Sequence, residues 1–370
     1  MPVAATDRHS VDAVIDGFRY QIESYKAHGS PLFATLLAAA LEDPDLLDLA
    51  SHASIGQPVG PMFMSVVHAL VLRHPDAPLA GFFASVVAQP GPYAEAIPAF
   101  RAFCLRHAET IAALLAQRTL QQTAADRASY VALPLGLLAG ECPEPLSFIE
   151  LGCSAGLLLL FDRYHYDFGP AGQWGDPASR VRLRCELRGA VQPPLPAYPP
   201  RIARRVGVDL KTCDPGDRTQ RDWICAALYP EWVEERARLT AALDLVAQAR
   251  PRVVESDAAQ VLPELMANMP GPVCVLSSQC LYQWPKDALD GLQAMLAQCS
   301  RERPVYRISI ELPGVIKGTF REDYRAGRIR RVGGSVVCEI TRQDYCRGIA
   351  MPQRLLGTAE GYGRWIEWLG

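Results

Sequence analysis

The sequence lacks several features that would fix its location or chemistry outright, and each absence narrows the choice. No stretch of the 370 residues holds the ~18 to 20 uninterrupted apolar positions of a membrane span. No charged-then-apolar leader occupies the first sixteen positions. The eleven cysteines are scattered singly, odd in number and without a C-x-x-C pair, which points to a reducing cytoplasm rather than a secreted, disulfide-stapled chain. Neither cysteine nor histidine falls at zinc-ligand spacing, and no H-E-x-x-H occurs, so the pattern gives no metal site. Charge of one sign is missing too: 37 Lys+Arg stand against 40 Asp+Glu, a net charge of -3. That balance offers no broad basic field and argues against nucleic acid as the partner. The one dense basic run, between Arg321 and Arg331, reads as a solvated loop or helix face.

What is present is the composition of a globular chain, 49% hydrophobic and 21% charged, long enough for two domains. The rest is organised around Leu146-Ser-Phe-Ile-Glu-Leu-Gly-Cys-Ser-Ala-Gly156 and the leucines after it. Phe148, Ile149 and Leu151 read as a buried parallel strand, the glycines as a tight turn, and Leu157 onward as a helix whose first N-H groups point back into the turn. The dinucleotide fingerprint fails here, because Ser154 and Leu157 stand where it needs glycine. A nucleophile elbow fits Gly152, Ser154 and Gly156, yet it requires a histidine late in the chain and His165 is the last. The third reading is a nucleoside-binding strand end with an acid, Glu150, two positions before the first glycine.

Positions from about 10 to 140 carry a helical pattern. Ser30-Pro31 reads as an N-cap with proline in the first helical position, and one helix is expected over 93–117. Glu141-Cys-Pro-Glu-Pro145 marks the seam, giving a helical domain at 1–140 and an α/β domain at 141–370. Beyond the core strand, 181–187 reads as a strand, and the proline-rich stretch 192–200 as rim. Val206-Gly-Val-Asp209 ends an apolar strand in a carboxylate that can accept both ribose hydroxyl protons or cap a turn, with Glu186 as the substitute candidate. One or two helices are expected over 222–249, with Pro230 marking a break or a fresh start. A third strand runs to Asp257-Ala258, and a fourth exits through Ser277, Ser278, Gln279 and Tyr282, which should face the reacting centre. A fifth ends in Glu311, and 332–341 with 355–369 complete the sheet as an antiparallel edge.

Glu150-Leu-Gly152-Cys-Ser154-Ala-Gly156 resembles motif I of the class I S-adenosylmethionine-dependent methyltransferases, with serine for the middle glycine. The resemblance implies a Rossmann-like sheet in which Glu150 helps hold the cofactor's amino group, Gly152 and Gly156 let it approach the backbone, Ser154 leans on it, and Asp257-Ala258 receive the adenine. The whole chain also resembles the bacterial DUF2332 proteins of unknown function. That likeness rests on the same motif followed by Asp162-Arg163-Tyr164, on Gly175-Asp-Pro177, Gly207-Val-Asp-Leu210 with Asp214 and Asp217, Trp223, and Pro230-Glu231 with Arg236, Arg238 and Leu239. Of that family's run before the core strand, 121–127 keeps only the glutamine and Arg127.

The expectation is a cytoplasmic, S-adenosylmethionine-dependent enzyme acting on a small-molecule acceptor. Glu311 or Tyr282 would serve as base, Arg127, Ser278 and Gln279 would meet the acceptor, and the helical domain would cap the site. A binding or scaffold protein on the same fold, and a hydrolase using Ser154, are the alternatives.

Overall fold

The computed structural model describes residues 8–193, 195, 198–320, 331–332 and 335–370. All of the Arg321 to Arg331 run except Arg331 therefore lies outside the described residues. The helices are α1 (Val11–Ala27), α2 (Pro31–Ala40), α3 (Pro44–Ala50), α4 (Val59–Arg73), α5 (Ala96–Arg106), α6 (Ala108–Gln117), α7 (Ala128–Glu141), α8 (Arg218–Ala226), α9 (Val233–Ala249), α10 (Ala258–Ala267) and α11 (Lys286–Cys299). The chain divides into two compact units. The first comprises Met1–Thr123 with Asp217–Ala237, the second Ala124–Gly216, Arg238–Val332 and Val336–Gly370. The seam thus falls ahead of the proline-rich stretch at 141–145. The reason is α7, an apolar helix buried along most of its length, which packs on the sheet of the second unit.

The first unit is helical, built on α1–α6 and α8. Its core is aromatic: Phe33 meets Tyr25, Phe83 and Tyr229 at centroid distances of 5.3 to 6.3 Å, and Phe63 meets Phe18 and Phe100. Each such fully buried ring is worth ~1.5–3 kcal/mol over its exposed state. His68 is sealed among them, with Nδ1 at 3.0 Å from the Ala226 carbonyl and Nε2 at 2.8 Å from Ser85 Oγ and 3.2 Å from an Arg236 nitrogen. A carbonyl only accepts and a guanidinium only donates, so Nδ1 carries the proton. Burial and the Arg236 charge hold this imidazole's pKa well below its ordinary value, which makes it a structural, neutral histidine. The single helix expected over 93–117 is two, α5 and α6, because His107 leaves helical geometry and stacks on His74 and Phe103.

Ser30 does stand at the N-cap of α2 with Pro31 behind it, but its hydroxyl does not cap. The α2 N-terminus is closed by Glu231, whose carboxylate accepts from Leu32 N–H at 2.9 Å and Ser30 Oγ at 2.8 Å. A carboxylate there satisfies orphan N–H groups and the positive end of the helix dipole together. Glu231→Ala should therefore lower stability by ~1–2 kcal/mol in urea titration, the usual cost of a lost cap. An unchanged midpoint would mean that Ser30 takes over.

The second unit is a mixed α/β structure around a large, mostly parallel sheet. Its strands are β1 (Leu146–Leu151), β2 (His165–Asp167), β3 (Gln173–Gly175), β4 (Arg182–Arg184), β5 (Glu186–Arg188), β6 (Ile202–Asp209), β7 (Arg252–Glu255), β8 (Val273–Ser278), β9 (Val305–Glu311), β10 (Arg331–Val332), β11 (Ser335–Cys346), β12 (Ile349–Ala350), β13 (Arg354–Glu360) and β14 (Trp365–Trp368). The order is β5-β14-β13-β11-β9-β8-β1-β6-β7, while β2, β3 and β4 form a separate small sheet. The five strands from β7 to β9 are parallel, and β11, β13 and β14 continue antiparallel. All six residues of β1 are buried, as a strand covered on both faces requires. One face is filled by Ile149, Val206, Val275 and Val305 against Leu262 of α10 and Leu292 of α11.

Two expectations fail here for local reasons. The leucines after Gly156 do not form an α-helix. They make a six-residue 3-10 segment, Leu158–Arg163, kinked at Leu160. Leu157 through Phe161 are all buried, so these five positions have no polar face to give to solvent, and Arg205 pins the segment by bonding the Leu159 carbonyl and the Asp162 carboxylate. The helix N-terminus invoked for ligand binding is therefore absent from this turn. The single strand expected over 181–187 is two, β4 and β5, which enter different sheets.

Candidate functional site at the strand-order reversal

Numbered along the chain, the parallel strands run third, second, first, fourth, fifth, so the order reverses between β1 and β8. In open α/β sheets ligands sit outside the carboxyl ends at such a reversal. Both strand exits there carry a non-glycine residue in the left-handed region, Ser154 at φ 50° and Gln279 at φ 52°. Each holds of the order of 1–3 kcal/mol of backbone strain, a cost that clusters at functional sites.

On the β1 side, the turn is held by main chain and by one acid. Gly152 N–H donates to the Val208 carbonyl at 2.8 Å, and Ser154 N–H donates to Asp209 Oδ2 at 2.7 Å. Asp209 Oδ1 accepts from Lys211 N–H at 3.0 Å. Glu150 lies beneath, 2% exposed, with Oε2 lacking a partner among the described residues. Burial and then the Asp209 charge push its carboxyl well above the usual range, against a backbone hydrogen bond from Leu159. Gly152 (φ 68°) and Gly156 (φ 77°) are both required by the turn, and both face protein. A Cβ on Gly152 would stand 2.5 Å from Cys280 Cβ, and one on Gly156 would meet Leu159, Val253 and Pro251. Beside the turn opens a cleft of ≈ 530 Å³, lined among others by Ala155, Thr212, Asp214, Arg250 and Val253. That is within the size range of small-molecule sites.

On the β8 side, Ser278 Oγ lies 3.2 Å from Tyr130 Oη, and Gln279 Nε2 donates to Tyr130 Oη at 3.1 Å and to the Gly361 carbonyl. Arg127 donates Nε to the Gly361 carbonyl at 3.2 Å and reaches Gln279 Oε1 at 3.5 Å, its guanidinium stacked over the Tyr362 ring. Glu311 ends β9 beneath this loop. Burial raises its carboxyl to about 7, against the pull of the Leu281 and Cys280 N–H groups. Tyr282 sits half-exposed on the rim, packed on Phe320, with burial raising its phenol against the pull of Arg127.

The strand ends thus bring together Glu150, Gly152, Ser154, Gly156 and Asp209 on one side and Arg127, Ser278, Gln279, Tyr282 and Glu311 on the other. Asp257 is exposed and caps α10, Oδ1 accepting from Ala259 N–H at 2.9 Å, with Ala258 buried behind it. Glu186 is not among them. It belongs to β5 at the opposite edge of the sheet from β6, where it pairs with Arg188, so it drops out as a ribose contact. His165 does not serve Ser154 as a base: it is buried in β2, and neither of its ring nitrogens has a hydrogen-bond partner among the described residues.

Sequence reasoning missed Cys280, which fills the space over Gly152, and Tyr130, which lies in the helical stretch before the core strand. It also passed over Glu255, whose carboxylate ties the loop after β6 to β7 through Thr212 N–H at 2.9 Å and Oγ1 at 2.8 Å. Only Glu255 left a signal, as an acid at a strand end next to the Asp257 that was preferred. All eleven cysteines are free thiols. Among the described residues no cluster of three or more His, Cys, Asp or Glu is placed to hold a metal, and no helix is long and apolar enough to cross a membrane. Residues 16–368 match a family described as uncharacterized protein conserved in bacteria, DUF2332. No curated protein and no solved structure matches the chain.

Proposed function

The chain belongs to the DUF2332 family, and we propose that its second unit is a methyltransferase-like Rossmann sheet that binds S-adenosylmethionine and transfers its methyl group to a small-molecule acceptor. The observation that carries the reading is the Asp209 carboxylate at the end of β6, bonded to Ser154 N–H of the motif turn, one strand from the order reversal. A nucleoside ligand needs an acid for its ribose at such a strand end, and Asp209 stands there. The buried, unpartnered oxygen of Glu150 under the same turn fits a polar ligand as well. The missing helix after the turn removes a dipole contribution but no contact that the ligand's amino and ribose groups require.

When bound, S-adenosylmethionine supplies an electrophilic methyl on sulfur. The chain's own residues bind and align. Asp209 would accept from the ribose hydroxyls, Glu150 would meet the amino group, and Asp257, with Oδ1 committed to its helix cap, would offer Oδ2 to the adenine. Arg127, Ser278 and Gln279 line the acceptor side. Tyr282, its phenol pKa raised, stays protonated at neutral pH and orients the acceptor through its hydroxyl. Methyl transfer asks chiefly for this alignment.

Calorimetry and thermal shift with S-adenosylmethionine and S-adenosylhomocysteine test the reading. A ligand at a hundred times its dissociation constant should add ~2.7 kcal/mol of stability. Binding of neither compound sinks the proposal. Binding of both without turnover on any small-molecule acceptor makes the protein a binding module on the same fold.

A further inference from the structure

The loop that leaves β8 is held from below by one carboxyl group. Glu311 is 1% exposed, and its Oε1 accepts from the N–H groups of Cys280 and Leu281 at 3.2 Å each. Its Oε2 has no hydrogen-bond partner among the described residues. Two successive N–H groups converging on one oxygen form a nest that selects for negative charge. Immediately before them stands Gln279 in the left-handed region, its N–H bonded to the Ile310 carbonyl at 2.9 Å and its amide tied to Tyr130, Gly361 and Arg127. A residue at that φ keeps its conformation only while its surroundings over-determine it.

We propose that Glu311 is the positioning residue of this site rather than its base: the ionised carboxylate fixes the turn from Gln279 to Leu281, and through Gln279 the placement of Arg127 and Tyr130. Protonation of Glu311 releases the turn. The identity of the ligand that feels this rests on the methyltransferase reading, whereas the latch itself rests on the geometry alone. The groups facing Glu311 are Ser277 of β8, the Cys280 thiol at 3.8 Å and Tyr282 in the loop, Arg307 on its own strand, and Cys338 and the cross-strand Glu339 of β11. Arg127 acts on the same loop through Tyr282.

Because burial brings the Glu311 carboxyl to about 7, both protonation states are populated near neutral pH. Its folded value lies above its unfolded one, so its contribution to stability is fully present below the unfolded pKa and is lost as pH rises through about 7. Ionisation therefore costs the fold stability while it tightens the turn. Glu311→Gln, neutral and of the same shape, should separate the two effects.

The test is a pH titration of the Cys280 and Leu281 amide resonances in selectively ¹⁵N-labelled full-length protein, with melting temperature and S-adenosylhomocysteine affinity followed in parallel. In the wild type both amides should shift with a midpoint near 7, and affinity should rise through the same range. In Glu311→Gln the shifts should be flat, the melting temperature at pH 8 higher, and affinity at pH 8 weaker on the order of tenfold, the worth of losing a charged hydrogen-bond acceptor. Amides that do not titrate in the wild type overturn the proposal without recourse to any variant. So does a Glu311→Gln protein that is less stable at pH 8. If the wild type binds no S-adenosylhomocysteine, the amide titration still decides about Glu311, and the failure belongs to the ligand reading alone.

Discussion

Asp209→Ala is expected to lower S-adenosylhomocysteine affinity on the order of 100-fold or more, about 2.7 kcal/mol, in calorimetry at neutral pH. Two losses combine. The ribose loses its acceptor, and the turn loses the bond from Ser154 N–H at 2.7 Å, so the left-handed conformation of Ser154 is no longer held. Hydrogen bonds to charged groups are worth ~1.5–3 kcal/mol each, and the charge-assisted one to Ser154 is the shorter of the two main-chain bonds that Asp209 accepts. Asp257→Ala should cost less affinity, about tenfold, with ~1 kcal/mol of stability from the lost cap of α10. Equal affinities in wild type and Asp209→Ala would remove the ribose contact and the reading built on it.

Gly152→Ala should be the most damaging single methyl group in the second unit's ligand edge. The position has φ 68°, and the added Cβ would stand 2.5 Å from Cys280 Cβ and 3.0 Å from its sulfur. Overpacking of this kind costs ~1–3 kcal/mol and the left-handed conformation a further ~1–2 kcal/mol, so destabilisation of about 2–5 kcal/mol is expected in urea. Gly152→Ala with Cys280→Gly removes the steric part and leaves the backbone part, so the double variant should recover about half of the loss. No recovery would mean that the backbone conformation alone sets the requirement. Recovery would mean that the glycine also serves the approach of Cys280, 2.5 Å from where the added Cβ would stand.

The parallel strands and their acid-bearing ends were legible because buried strands leave continuous apolar runs: Phe148 to Leu151, Val206 to Val208 and Val273 to Leu276 each announce themselves. The antiparallel edge beyond β9 was legible through alternation, as in Val337 to Ile340. The segment after Gly156 was not legible, since five consecutive buried residues have no period to distinguish a 3-10 segment from a helix, and Arg205, which pins that segment, lies far away in the chain. The same distance hid Cys280 over Gly152, Glu231 on the α2 terminus, and the split of 93–117 at His107, which a partner ring on His74 stabilises. Site residues that close a contact across more than a hundred positions, such as Tyr130 with Ser278 and Gln279, leave no local trace at all.

The cap of α2 also sets a schedule for synthesis. Leu32 and the glutamate that satisfies its N–H are 199 positions apart, and the intervening chain includes the first and second parallel strands of the other unit. At a translation rate of roughly 5–20 residues per second, about 10–40 s separate the emergence of α2 from that of its cap. Through that interval the helical unit exists without α8 and without the ring of Tyr229 against Phe33. Although it is the first part to be made, it cannot close its aromatic core before the chain has been made through position 231. A nascent chain halted near position 123 should be proteolysed as an open, aromatic-rich helical segment, and resistance should appear only once Glu231 has cleared the exit tunnel.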